Sequence, residues 1–202
     1  ITGLGALTPV GNSAQETWQS LVKGVSGIAP ITSFDASLFK THFAGEVKGF
    51  DPTTLIDRKD ARKMDRYAQF SVCVADEALR DSGLNLENED RSRVGVIWGS
   101  GMGGLQTTEE EIIDFAKGDG VPRFNPFMIP KAIPSIAAGL ISIRFGLGGL
   151  SFSVSTACSS SSHAVASAFD QIRLGHADVL LSGGADADVT YTGIGGFNSL
   201  HA

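Results

Sequence analysis

Positive charge is scarce in this 202-residue chain: 16 Lys and Arg stand against 22 Asp and Glu, for a net charge of −6. A general basic footprint for nucleic acid is thereby excluded. Only two cysteines occur, Cys73 and Cys158, too few for a disulfide framework. Cys73 falls in a helical apolar pattern and reads as core. No apolar run approaches the roughly 20 residues needed to span a bilayer, and the start has no charged segment leading into an apolar one. The four histidines, His42, His163, His176 and His201, show no metal-ligand spacing and no constellation that would make one of them an acid or base. These shortages fit a soluble protein in a reducing cytoplasm, and 42% hydrophobic content is enough for one sizeable core. The chain opens on Ile1 inside an apparent strand and closes at Ala202 without a cap or polar tail. It therefore reads as a piece of a longer protein, incomplete at both ends.

Against these shortages stands one strongly patterned stretch, Leu150 to Gly175, LSFSVSTACSSSSHAVASAFDQIRLG. Ser151, Ser153 and Ser155 alternate with Phe152, Val154 and Thr156, as in a strand, and a small-residue run from Ala157 to Gly175 then reads as a helix. This places Cys158 in the first turn of the helix. Unpaired backbone N–H groups and the helix dipole favour an anion there, which raises the share of nucleophilic thiolate. Cys158 is the best nucleophile candidate in the chain. A buried structural cysteine is the alternative that position alone leaves open.

The remainder alternates helices and strands. Residues 1–7 read as a short buried strand, and Ser13 with Glu16 forms a capping box for a helix that stops at Gly24. Residues 25–57 are broken by Gly and Pro into an irregular excursion. Helices follow over about 65–82, around 109–115 and over 136–145, with strands at 93–98 and 177–182. Strands separated by helices imply an α/β fold with a mostly parallel sheet covered on both faces. Gly99 to Gly104, GSGMGG, matches the G-x-G-x-x-G of dinucleotide sites, after a strand and before a helix. No acidic residue closes a βαβ unit behind it, because Asp119 falls in a Gly-rich loop. Arg58, Lys59, Arg62, Lys63 and Arg66 form the one basic cluster, interleaved with Asp57, Asp60 and Asp65. It reads either as a docking patch for an acidic partner or as a self-neutralised surface.

Six segments in register, TGLGALTPVG, ARKMDRYAQF, GSGMGG, NPFMIPKAIPSIAAG, STACSSSSHAVASAF with GHADVLLSGGADA, and GIGGFNSLHA, resemble the elongating β-ketoacyl-acyl carrier protein synthases of fatty acid synthesis. The resemblance covers the whole chain and about the first half of the family's usual length. It implies a thiolase-like layered fold built as a duplication, of which residues 1–202 are the N-terminal condensing-enzyme domain with the C-terminal half absent. It further implies acyl transfer to Cys158, then decarboxylative Claisen condensation with a malonyl-carrier, without metal or other cofactor. Met102, Leu105, Met128 and Phe197 fall on acyl-pocket positions, Met128 reaching across from the partner subunit of a homodimer; ordinary core packing is the other reading of each. Lys59, Arg62 and Lys63 fall on positions that dock the acyl carrier protein. Two catalytic histidines and the second oxyanion donor belong to the absent half, so the fragment is expected to be inactive alone. Ser161 stands where the family commonly has Gly, and Asn198 where Gly or Ala is usual. Two other classes stay open: a nucleotide-binding oxidoreductase using Gly99 to Gly104, and a non-enzymatic homologue that keeps the fold.

Overall fold

The computed structural model describes residues 1–201. Its centre is β3 (Val94–Gly99), VGVIWG, in which all six residues are buried. An apolar run of this kind is expected of a strand covered on both faces. β4 (Ser151–Val154) and β5 (Val179–Gly184) flank it, both parallel to it, in the order β4-β3-β5. Side chains alternate along β3, and each set has its own helices. Val94, Val96 and Trp98 pack with Tyr67, Ala68, Val72 and Ala75 of α3 (Arg66–Asp81) and with Ala137, Ala138 and Ile141 of α6 (Ile136–Phe145). Ile97 faces the other way, onto Ala164 and Ala168 of α7 (Ser160–Arg173). The result is the expected α/β fold, a parallel sheet layered between helices.

Local signals account for most boundaries. Ser13 caps α1 (Ala14–Val22) by accepting from the Glu16 N–H, and the Glu16 carboxylate accepts in return from the Asn12 N–H. Asp65 caps α3, and Gly83 follows that helix with a φ of +68° that favours glycine. The excursion over 25–57 is irregular apart from one small antiparallel pair, β1 (Ala29–Pro30) with β2 (Phe43–Ala44), and one turn of 3₁₀ helix at Pro52–Thr54. α2 (Arg58–Ala61), α4 (Leu105–Lys117), α5 (Met128–Ala132) and α8 (Tyr191–Ser199) complete the helices. Among the described residues no helix is long and apolar enough to cross a membrane.

Residues 1–7 depart from the expected strand. They lie along α3, where Leu4 N–H donates to Asp81 and Ala6 N–H to Glu77, both at 2.9 Å. Carboxylates on the helix thus take amides that a neighbouring strand would otherwise bind. The approach is close: a Cβ on Gly3 would fall 2.1 Å from the Ala78 carbonyl oxygen, and one on Gly5 2.0 Å from that of Val74.

Because β3, β4 and β5 are parallel, their carboxyl ends share one side of the sheet. The loops 100–104, 155–159 and 185–190 meet there, the usual place for a site in an α/β fold.

Candidate active site

The turn after β4 presents Cys158 to solvent. α7 begins at Ser160 with Ser159 as its N-cap, so Cys158 precedes the helix and is not within its first turn as the sequence pattern implied. Local hydrogen bonds delay the helix. Ser160 Oγ donates to the Ala157 carbonyl at 2.7 Å and accepts from the Thr156 N–H at 2.9 Å. Ser159 Oγ donates to the Thr156 carbonyl at 2.8 Å, and His163 Nδ1 lies 2.8 Å from Thr156 Oγ1. Held from both ends, Ala157 takes a left-handed φ of +51°, costly for a residue with a Cβ. The nucleophile candidate therefore sits on a short turn whose neighbours are fixed. His163 acts in that network, through the Thr156 hydroxyl. Cys73 is different in kind: half-buried in α3, its thiol is pushed up to about 11 by burial, with Asp76 adding to the rise and Arg144 opposing it.

The glycine loop after β3 abuts this turn. Ser100 N–H donates to the Val154 carbonyl at 3.2 Å, and a Cβ on Gly101 would stand 3.5 Å from both the Ala157 carbonyl oxygen and Asp186 Oδ2. Asp186, just beyond β5, gathers the loop: its carboxylate accepts from Ser100 Oγ (2.8 Å), Gly101 N–H (3.0 and 3.1 Å) and Met102 N–H (3.1 Å). These are the donors a phosphate would need. A protein carboxylate already holds them, which removes the nucleotide reading of Gly99 to Gly104.

The expected pocket residues differ in exposure. Met102 and Phe197 are mostly exposed, at 54% and 52%, whereas Leu105 and Met128 are half-buried. Gly104 N–H donates to the Ala132 carbonyl at 3.1 Å, so α5, which starts at Met128, rests on the loop that carries Met102. A cavity of about 810 Å³ lies elsewhere, between the 32–49 excursion, α4 and the 186–191 segment. It is lined by Arg66, Glu109, Asp186 and Asp188 among others, and by none of Cys158, Met102, Leu105, Met128 or Phe197.

Lys59, Arg62 and Lys63 are all exposed at the end of α2. Lys63 pairs with Asp60 at 2.8 Å and lies 6.0 Å from the centre of the Phe127 ring, beside α5. Among the described residues Lys59 and Arg62 form no ion pair. Arg66 leaves the patch and stacks over Phe50 and Phe70, because the chain turns between α2 and α3.

Residues 1–202 match the family model described as the beta-ketoacyl synthase N-terminal domain. The chain belongs to the beta-ketoacyl synthase family. A 3-oxoacyl-[acyl-carrier-protein] synthase 2 of Synechocystis sp. is 41% identical across the whole chain, and one of Staphylococcus aureus is 38% identical. The chain spans about half the length of these relatives, 48% and 49%. The ishigamide ketosynthase/chain length factor superposes with a TM-score of 0.93 at 27% identity, over all of this chain and 50% of that one. The layered architecture of this beta-ketoacyl synthase domain is thus the thiolase-like fold expected of it.

Two acidic residues of the domain escaped the sequence patterns. Asp186 lies in ADAD directly after a small-residue strand, and an acid at the carboxyl end of a parallel strand was the available signal. Asp65 caps α3 and also accepts from Thr107 N–H (2.9 Å) and Oγ1 (2.6 Å), locking the start of α4. Its place in the basic cluster disguised a buried structural role.

Proposed function

We propose that this chain is the nucleophile-bearing half of a 3-oxoacyl-[acyl carrier protein] synthase of fatty acid biosynthesis, with Cys158 as the acyl acceptor. The observation that carries this reading is the exposed thiol on a locked turn at the carboxyl ends of the parallel strands. Cys158 Sγ attacks the thioester carbonyl of an acyl carrier, the carrier's C–S bond breaks, and the thiol proton ends on the departing carrier sulfur. The Cys158 N–H supplies one donor to the oxyanion that forms between these events. In the second step a malonyl-carrier loses CO₂, its enolate carbon attacks the acyl carbonyl, and Sγ leaves as the C–C bond closes. The donors that stabilise the enolate, two histidines, and the second oxyanion donor come from the remainder of the protein, so the 202-residue piece is inactive alone.

Lys59, Arg62 and Lys63 guide the acidic carrier by charge, and Met102, Leu105, Met128 and Phe197 contact the acyl chain. The outer face of α7, with Phe169 60% exposed, meets the second half of the fold, while the exposed β4 edge meets a second copy in a homodimer. Two unbridged cysteines suit a cytoplasmic location.

The test is mass spectrometry of the intact protein after exposure to an acyl-carrier thioester. The acyl mass is expected on Cys158 and absent in C158A; a wild-type protein that takes no acyl group would support the non-enzymatic reading. Lys63→Glu is expected to raise KM roughly 3- to 10-fold for a carrier-bound substrate and to leave a small thioester analogue unaffected. Equal effects on both would remove the docking role.

A further inference from the structure

Three donors from one short loop converge on a single carboxylate, Asp186, and that loop touches the residue that precedes the nucleophile. Gly101 sits between the Asp186 carboxylate and the Ala157 carbonyl, with each 3.5 Å from where its Cβ would be. Asp186 also acts through Ser100: the buried hydroxyl donates to Asp186 at 2.8 Å and accepts from the Gly103 N–H at 3.0 Å, closing the loop on itself. The loop backbone has little freedom to find substitutes. Gly103 has a φ of +67°, and a Cβ there would fall 2.6 Å from the Ala132 carbonyl oxygen, so α5 blocks movement on the far side. Asp186 itself is anchored by the sheet, since Ala185 N–H donates to the Gly99 carbonyl at 3.1 Å.

We infer that Asp186 is a positioning residue that clamps the 100–104 loop against the Cys158 turn and thereby fixes where Met102 stands beside the incoming acyl chain. The inference rests on the acyl-transfer reading for its catalytic consequence, but the clamp itself is a property of the chain. Charge-assisted hydrogen bonds to backbone N–H groups are about twice as strong as neutral ones. In Asp186→Asn the shape is kept, but one oxygen that faces the Gly101 N–H is replaced by an NH₂ group, so donor meets donor. The loop then samples positions in which Met102 no longer defines one wall. The effect falls on which acyl chains are accepted and leaves the thiol intact.

The experiment compares wild type, D186N and D186E in the intact protein, with two readouts. Amide hydrogen exchange of residues 101–104 reports the clamp without any substrate. D186N is expected to speed exchange there by about tenfold or more, from the loss of charged hydrogen bonds, while α3 and α6 stay protected; D186E restores protection in part. Single-turnover acylation of Cys158 by a short and a long acyl-carrier thioester reports the consequence. The ratio of long- to short-chain rates is expected to change in D186N, with iodoacetamide alkylation of Cys158 unaltered. Unchanged exchange at 101–104, or an unchanged chain-length ratio beside normal alkylation, would overturn the inference. So would an equal loss of protection throughout the sheet, which would make Asp186 a residue of general stability. Failure of the wild type to accept any acyl group would instead defeat the acyl-transfer reading, and the exchange data would still decide whether the clamp exists.

Discussion

Asp188 offers a perturbation whose sign and size follow from its surroundings. It lines the 810 Å³ cavity, half-buried, with Oδ1 inaccessible to solvent and lacking a hydrogen-bond partner among the described residues. Burial pushes its carboxyl up from 3.8 to about 6, and the negative charges of Asp186 and Asp65 add to the rise. Lys48 and Arg66 line the same cavity beside Glu46, Glu109, Glu110 and Asp114, so carboxylates outnumber cations around it. A carboxyl whose pKa is higher folded than unfolded keeps its proton better in the folded state. It favours the fold at low pH, and that advantage disappears as pH rises from about 4 through about 6. A shift of about two pK units corresponds to about 3 kcal/mol, and solvent screening of a half-exposed group lowers this to about 1–2 kcal/mol. Asp188→Asn removes the titration and keeps the shape. Urea unfolding of wild type and variant in the intact protein is expected to show the variant gaining about 1–2 kcal/mol over wild type between pH 4 and pH 7.5. Comparing the two proteins at each pH cancels the titration of the carboxylates that do not interact with Asp188. A stability difference that stays constant across that range, or that moves against the variant, would refute the account of a charge buried without compensation.

Two further outcomes test the packing and the thiols. Gly99→Ala would place a Cβ 2.5 Å from the Ser160 carbonyl carbon and 2.6 Å from the Ser161 nitrogen, both backbone atoms of α7. A loss of about 1–3 kcal/mol in a thermal or urea melt is expected from such overpacking; Gly139→Ala, a site in α6 with nothing within 4 Å, is expected to gain about 0.5–1 kcal/mol instead. With its thiol at about 11, Cys73 is roughly one part in a thousand thiolate at pH 8. Peptide mapping after brief iodoacetamide treatment at that pH is expected to find the label on Cys158 first, and early label on Cys73 would contradict its placement in α3.

Where local chemistry decides the structure, the sequence was legible. The extents of α3 and α6 were legible to within a residue in the helical patterns over 65–82 and 136–145, and the strand at 93–98 became β3, covered on both faces as a parallel sheet requires. The readings that failed depended on contacts distant in the chain. Residues 1–7 have the composition of a strand, but Asp81 and Glu77, more than 70 residues away, decide where their amides go. The start of α7 was misplaced because Ser159 and Ser160 are acceptable helix residues whose hydroxyls bond backward to Thr156 and Ala157. No periodicity encodes that choice. The nucleotide reading failed for a similar reason. GSGMGG specifies a loop with outward N–H groups, but the anion that fills it is Asp186, more than 80 residues later. For the nucleophile candidate Cys158, the sequence pointed to the residue, and the structure shows the hydrogen bonds that hold the turn around it.

The two departures from the family pattern acquire reasons from the same contacts. Ser161 lies where α7 approaches β5, and its Oγ is 2.4 Å from where a Cβ on Gly184 would be. A larger residue at 161 is therefore compatible with this sheet only while position 184 has no side chain, which couples the helix behind Cys158 to β5. Asn198 does the corresponding work for α8. Its Oδ1 accepts from Thr41 Oγ1 at 2.7 Å, while Phe34 and Phe39 pack on Tyr191 at the other end of the helix, with ring centres 4.5 and 6.0 Å away. The irregular excursion thus grips α8 at both ends, and Phe197, adjacent to Asn198, is carried on a helix whose position is set from outside the sheet. A Gly or Ala at 198 would give up this hydrogen bond to the Thr41 hydroxyl. Asn198 consequently adds one specific tie between the excursion and α8 beside Phe197.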